Sequence, residues 1–237
     1  NGGGANTGAS IRNAFIQRSD FNVFTVDWSV GAVTPNIAIA RGHINAVGQV
    51  VAQFIDWLNV HGLPFSNISV IGHSLGAHAA GATGKRTTRG KLATIVGLDP
   101  AISFFSIDDP ANRLHYSDAD YVEAIFTDVG QSGFELPLGH ANFYPNWGTA
   151  QPGCGIDING LCSHVIVTEF YAESINPGNV FGATRCRDFN DIRTRNCVSS
   201  GAGRRLGGEP VNDGPSNPDS VFFLSTHAAR PFAQGPR

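Results

Sequence analysis

No block of lysine and arginine appears anywhere in this sequence of 237 residues, and its formal net charge is −3. The electrostatic footprint of a nucleic-acid binder is therefore missing. No apolar run is longer than a strand, which excludes a membrane-spanning helix. There is no Cys-x-x-Cys pair and no zinc-type spacing, so a structural zinc site is excluded. Neither an internal repeat, a low-complexity tract nor an interdomain linker interrupts the chain. No charged-then-apolar leader opens it. It begins on NGGGANTG, which reads as a glycine-rich loop. A domain would hardly start there, so upstream residues are expected.

What is present is an ordinary globular composition. Apolar residues make up 41% and charged residues only 15%, which implies a large core and a sparsely charged surface. The length suits one α/β domain. Four cysteines, Cys154, Cys162, Cys186 and Cys197, allow three pairings. The sequential one, Cys154–Cys162 and Cys186–Cys197, closes two short loops and is the expected one. Two disulfides would place the protein in an oxidising compartment.

Along the chain, NVFTVDW at Asn22–Trp28 alternates and predicts a strand. Between Ala40 and Asn59, the residues Ile44, Val47, Val51, Phe54, Ile55 and Leu58 recur at helical spacing, and Gly62 and Pro64 stop the helix. Ile68–Gly72 reads as a strand and the Ala/Gly-rich Leu75–Gly84 as a helix. Strands are predicted at Leu92–Leu98, Tyr121–Thr127 and Val221–Ser225, and a helix at Val165–Ile175. Strands alternating with helices imply a mostly parallel sheet covered on both faces. Asn67-Ile68-Ser69 is an N-glycosylation sequon beside the second of these strands.

Gly72-His73-Ser74-Leu75-Gly76 fits G-x-S-x-G between an apolar strand and a helix. In that setting the serine sits on a sharp turn with strained backbone angles, and the glycines let strand and helix approach closely. The turn lifts the Ser74 hydroxyl above the sheet and aims the Leu75 amide at a developing oxyanion. A serine nucleophile needs an imidazole base, and the base needs a carboxylate. Asp99 and Asp128 each follow a predicted strand at the carboxyl edge of the sheet, and position alone barely separates them. Four histidines lie beyond Asp99: His115, His140, His164 and His227. Of these, His164 follows Cys162 by two residues, where a disulfide would fix its loop.

With these residues placed, the chain resembles the pancreatic-lipase family in its secreted insect branch, which includes neutral lipases and the phospholipases A1 of wasp venom. The matching pieces run along nearly the whole chain: NVFTVDW, VIGHSLGAHAAG, VGLDPA, GHANFYPNWG with QPGC, CSH, and the Cys186…Cys197 pair. The resemblance implies an α/β-hydrolase fold and hydrolysis of glycerolipid esters at a lipid–water interface, with no cofactor. It places the nucleophile on Ser74, the acid on Asp99 rather than Asp128, and the base on His164. It implies a single catalytic domain over residues 1–237, expected to lack its N-terminal strands. No C-terminal β-sandwich and no colipase-type partner are expected.

Four departures qualify that picture. Relatives carry His-Gly-Phe or His-Gly-Trp before the glycine-rich loop as the second oxyanion donor, and this sequence starts after it. The lid between Cys154 and Cys162, GIDINGL, is short, so interfacial activation should be weak, and relatives with such lids often hydrolyse phospholipids. Arg113 and Asp118 match calcium-site positions, but Pro110 and His115 stand where carboxylates would be, so no metal is expected. Relatives often read IHTD where this chain has Ile125-Phe126-Thr127-Asp128. The expected protein is a secreted neutral lipase. The alternatives are a phospholipase A1, with Arg185 and Arg187 as headgroup candidates, or a yolk-type lipid-storage protein, which would lack a working serine.

Overall fold

The computed structural model describes residues 4–32, 36–211, 214 and 217–236. Helices are α1 (Gly4–Arg18), α2 (Ser29–Ala32), α3 (Ile37–Val60), α4 (Leu75–Gly84), α5 (Leu161–Ser174) and α6 (Phe189–Arg193). Strands are β1 (Ser69–His73), β2 (Leu92–Leu98), β3 (Ala119–Ile125), β4 (Ala141–Pro145), β5 (Gly182–Arg185), β6 (Arg204–Arg205) and β7 (Ser220–Leu224). They form one sheet in the order β1-β2-β3-β4-β7-β5-β6. The first five strands of that order run parallel, and β5 and β6 close the far edge antiparallel.

The near-continuous apolar run LATIVGL is what a strand buried on both faces requires, and β2 is buried at every position except Ala93. One core cluster joins Val96, Ile125, Phe143 and Phe222 to Phe170 and Tyr171 of α5. A second joins Ile95, Val122 and Tyr144 to Ile55 of α3 and Ala80 of α4. Helix α3 turns Ala40, Ile44, Gly48, Ala52 and Ile55 inward, while Phe54 and Trp57 face outward. The small residues on that stripe allow close contact with α4, where an added Cβ on Gly48 would lie 2.6 Å from Ala82.

Two local expectations are corrected. From Gly4 onward the opening segment is helical, not a loop. Its helix is held by packing, because Ile11 and Phe15 bury against the α5 side of the core, and tertiary burial overrides weak glycine propensity. Asn22–Trp28 is not a strand. An alternating pattern needs a partner strand for its amides, and β1, at the sheet edge, pairs only with β2 among the described residues. The segment instead lies against α3, where the Phe24 ring meets Phe54 edge-on at 5.2 Å.

Lys85 follows α4 and ties it to the loop before β3. Its ammonium reaches both Asp118 carboxylate oxygens, at 2.5 and 2.6 Å, and the Arg113 carbonyl at 2.8 Å. Arg113 itself donates to the carbonyls of Ser106, Ile107 and Leu114. Burial pulls the Lys85 pKa down and pushes that of Asp118 up, each against the pull of its partner. Removing one member therefore leaves an uncompensated charge: Lys85→Met is expected to cost about 3–5 kcal/mol. The companion Lys85→Met/Asp118→Leu should regain most of that in a urea titration. A single variant as stable as the double one would show that the pair carries no such burden.

Candidate active site

The site is built at the carboxyl ends of the parallel strands, where open α/β sheets place their chemistry. Ser74 follows β1 directly. Its backbone angles, φ 58 and ψ −123, lie outside the regions a serine normally occupies. Close approach of strand and helix forces the turn: a Cβ on Gly72 would sit 2.0 Å from the Gly76 carbonyl oxygen. The elbow is held by Ser74 N–H donating to the Leu98 carbonyl at 2.9 Å and by Ala77 N–H returning to the Ser74 carbonyl at 3.1 Å. The Leu75 N–H, first in α4, donates to no group among the described residues.

Asp99 follows β2, is fully buried and has a positive φ of 40. Its Oδ1 accepts from the Thr127 N–H at 2.7 Å and the Asp128 N–H at 3.1 Å. Its Oδ2 lies 2.5 Å from His164 Nδ1. His164 Nε2 in turn lies 2.8 Å from Ser74 Oγ. A carboxylate can only accept, so Nδ1 carries the ring proton and Nε2 is left to accept from the serine hydroxyl. Residues 65 and 90 positions apart in sequence thus form one hydrogen-bonded line.

Helix α5 presents His164 in its first turn. Asp157 takes the place of a capping residue and accepts from the Cys162 and Ser163 N–H groups at 3.2 and 2.7 Å. The Cys154–Cys162 disulfide closes the loop around this cap, and Cys186–Cys197 forms the second bridge. Anchoring Asp157 leaves its neighbours facing solvent, with Ile156 93% and Ile158 82% exposed. Gly160 adopts φ +64, and any Cβ there would strike the Asp128 carboxylate at 2.3 Å.

Asp128 is buried close by, with an oxygen within 4.8 Å of the Asp99 and His164 ligand atoms. Its Oδ2 accepts from the Ser132 N–H at 2.9 Å, not from the imidazole. Burial raises its pKa, the Ser132 N–H opposes this, and the Asp99 charge adds to the rise.

The other histidines stand elsewhere. His140 Nδ1 accepts from the Val122 N–H, and His115 caps the turn before β3; the His227 N–H donates to the Phe232 carbonyl. Arg187 is paired with Asp191 at 2.7 Å. Arg185 reaches Ser220, the first residue of β7 and so at the amino edge, away from Ser74. Phe126, the departure from IHTD, is fully buried and stacks on Tyr144 with centroids 4.6 Å apart.

Three contributors escaped sequence reading. Gln151, inside the quoted QPGC, donates to the carbonyls of Thr127, Pro145 and Thr149, joining two strand ends beneath the site. His73 donates to the His164 carbonyl. His78 is 1% exposed and bridges the Ala101 carbonyl and the Leu114 N–H at 2.8 and 3.0 Å.

Burial lowers the His78 pKa from 6.5 to about 4; the Ala101 carbonyl opposes this, and nearby Arg113, Lys85 and Arg41 add to it. The ring is neutral in the folded protein but takes a proton below pH 6.5 when unfolded. Its contribution to stability is therefore whole above 6.5 and is lost as pH falls toward 4, by about 3 kcal/mol. The urea midpoint is expected to drop across that window, and His78→Gln should flatten the slope. An unchanged slope in the variant would assign acid sensitivity elsewhere.

A doubly covered, mostly parallel sheet with a serine elbow and a hydrogen-bonded imidazole and carboxylate at its carboxyl edge defines an α/β-hydrolase fold. A family model described as Lipase matches residues 5–232. Mouse Lipase member H is 38% identical over 196 residues, 81% of this chain and 43% of its own length. Pig lipoprotein lipase is 36% identical over 242 residues, 92% of this chain and 50% of its own. The chain belongs to the lipase family, and it spans about half the length of the curated relatives it matches. No helix among the described residues is long and apolar enough to cross a membrane.

Proposed function

We propose that the protein is a secreted serine ester hydrolase acting on glycerolipids, neutral acylglycerols first. The single observation that carries this reading is the line Ser74 Oγ–His164 Nε2, His164 Nδ1–Asp99 Oδ2, at 2.8 and 2.5 Å. His164 takes the Ser74 proton as Oγ attacks the ester carbonyl, and Asp99 steadies the resulting imidazolium. The Leu75 N–H donates to the oxyanion. As the carbonyl re-forms, the bond to the alcohol breaks, and His164 gives that alcohol its proton. Water, deprotonated by the same imidazole, then releases the fatty acid and restores Ser74. The names of the mouse and pig relatives, both lipases, agree with such a substrate.

Neutral lipid is preferred over phospholipid on charge. Arg187 is engaged by Asp191, and Arg185 lies at the other edge of the sheet. The segment leading into the helix of His164 exposes three apolar side chains, Ile156, Ile158 and Leu161. Two disulfides and a low content of charge suit an extracellular setting. A storage role has no use for an aligned imidazole. Fatty-acid release from triolein emulsions is expected to exceed release from phosphatidylcholine vesicles. The reverse order would make the protein a phospholipase A1, and release from neither would remove the enzymatic reading.

A further inference from the structure

His73 closes β1 one residue before the elbow serine. Its Nε2 lies 2.7 Å from the backbone carbonyl oxygen of His164, a residue 91 positions away. The two rings are 4.6 Å apart and tilted by 43°. A carbonyl only accepts, so His73 carries a proton on Nε2 and donates it to the bond. Burial, helped by the neighbouring His164, lowers its pKa to about 4, with the His164 carbonyl and Asp99 opposing.

The geometry of this bond is unusual in what it joins. The solvent side of the first turn of α5 is fastened by Asp157 and the Cys154–Cys162 bridge. Its inner side is fastened to β1 by His73, at the residue that carries the imidazole and from the residue adjoining Ser74. The main chain that carries the imidazole is therefore tied by one short hydrogen bond to the side chain of the residue adjoining Ser74. A neutral ring is suited to that place, because an imidazolium at 4.6 Å would repel the charge that forms on His164 during acyl transfer.

We propose that His73 is a positioning residue: by holding the His164 main chain it sets the distance from the imidazole to Ser74 Oγ. This rests on the Ser74–His164–Asp99 reading above. Misplacement by about 1 Å can cost ~100-fold in rate.

The test compares His73→Phe, which keeps a ring without the donor, with His73→Gln, which keeps a donor of similar reach. The readouts are the rate of Ser74 phosphonylation by a fluorophosphonate and kcat and KM on p-nitrophenyl butyrate, with each variant's folding checked by its melt. His73→Phe is expected to slow phosphonylation and kcat by about 10–100-fold with KM unchanged, and His73→Gln to recover to within about threefold of the parent. Where His73→Phe fails to fold, His73→Leu supplies the donorless arm. Phosphonylation of the donorless variant at the parent rate, or an equal loss in His73→Gln, overturns the proposal. A parent protein inert to the fluorophosphonate would instead sink the reading of Ser74 itself.

Discussion

Ser74→Ala is expected to lower ester turnover by about a million-fold and to abolish fluorophosphonate labelling, with the fold intact. The size of the loss follows from what the hydroxyl does. On the proposed mechanism, losing Oγ removes the acyl-enzyme and leaves only the oxyanion donor and substrate binding, which sustain about 10³–10⁴-fold over water. The stability effect is small for a separate reason. The strain at φ 58 belongs to any residue with a Cβ, so alanine inherits it unchanged. What the variant loses is one half-buried hydrogen bond, to His164 Nε2 at 2.8 Å, worth about 1 kcal/mol. The melting temperature should therefore move by about 2–4 °C. Turnover at the parent rate in Ser74→Ala would move the nucleophile elsewhere in the chain.

The regions where pattern and punctuation agree were readable from the residues alone. Leu75–Gly84 and Leu92–Leu98 are bounded in the structure as the sequence predicts, each being an apolar run with clear stops. What stayed hidden depends on partners distant in the chain. Helix α1 opens on residues with poor helical propensity and stands through Ile11 and Phe15 against α5. Strand β4 is five residues, ends on Pro145 and shows no alternation, because every one of its positions is buried. Asn22–Trp28 has the alternation without the ladder. At the site, the motif around Ser74 carries its own geometry, but His73, Gln151 and Lys85 reveal their work only through groups 91, 24 and 33 residues away. Nothing local marks those three residues as anything but ordinary polar side chains.

The choice between two aspartates, which chain position could not make, is the other place for a large effect. Asp99→Asn is expected to reduce kcat/KM on a soluble ester by about ten-thousand-fold with little change in fold. The amide is nearly the same shape, and its Oδ1 can go on accepting from the Thr127 and Asp128 N–H groups at 2.7 and 3.1 Å. That leaves the Nδ2 group facing His164 Nδ1, donor against donor. The imidazole relieves the clash by carrying its proton on Nε2 instead, where it can no longer accept from Ser74 Oγ. Flipping the amide does not help, because it would set NH2 against two backbone N–H groups. Gly133 walls the carboxylate closely, an added Cβ there lying 2.5 Å from Oδ1, so the side chain has no room to turn away. Asp128→Asn should cost far less: its carboxylate is engaged by the Ser132 N–H, while the ring is bonded to Asp99. The two variants assayed side by side at pH 8 decide the matter. A ten-thousand-fold loss in Asp128→Asn with Asp99→Asn nearly active would transfer the role of the acid to Asp128 and undo the reading of Asp99.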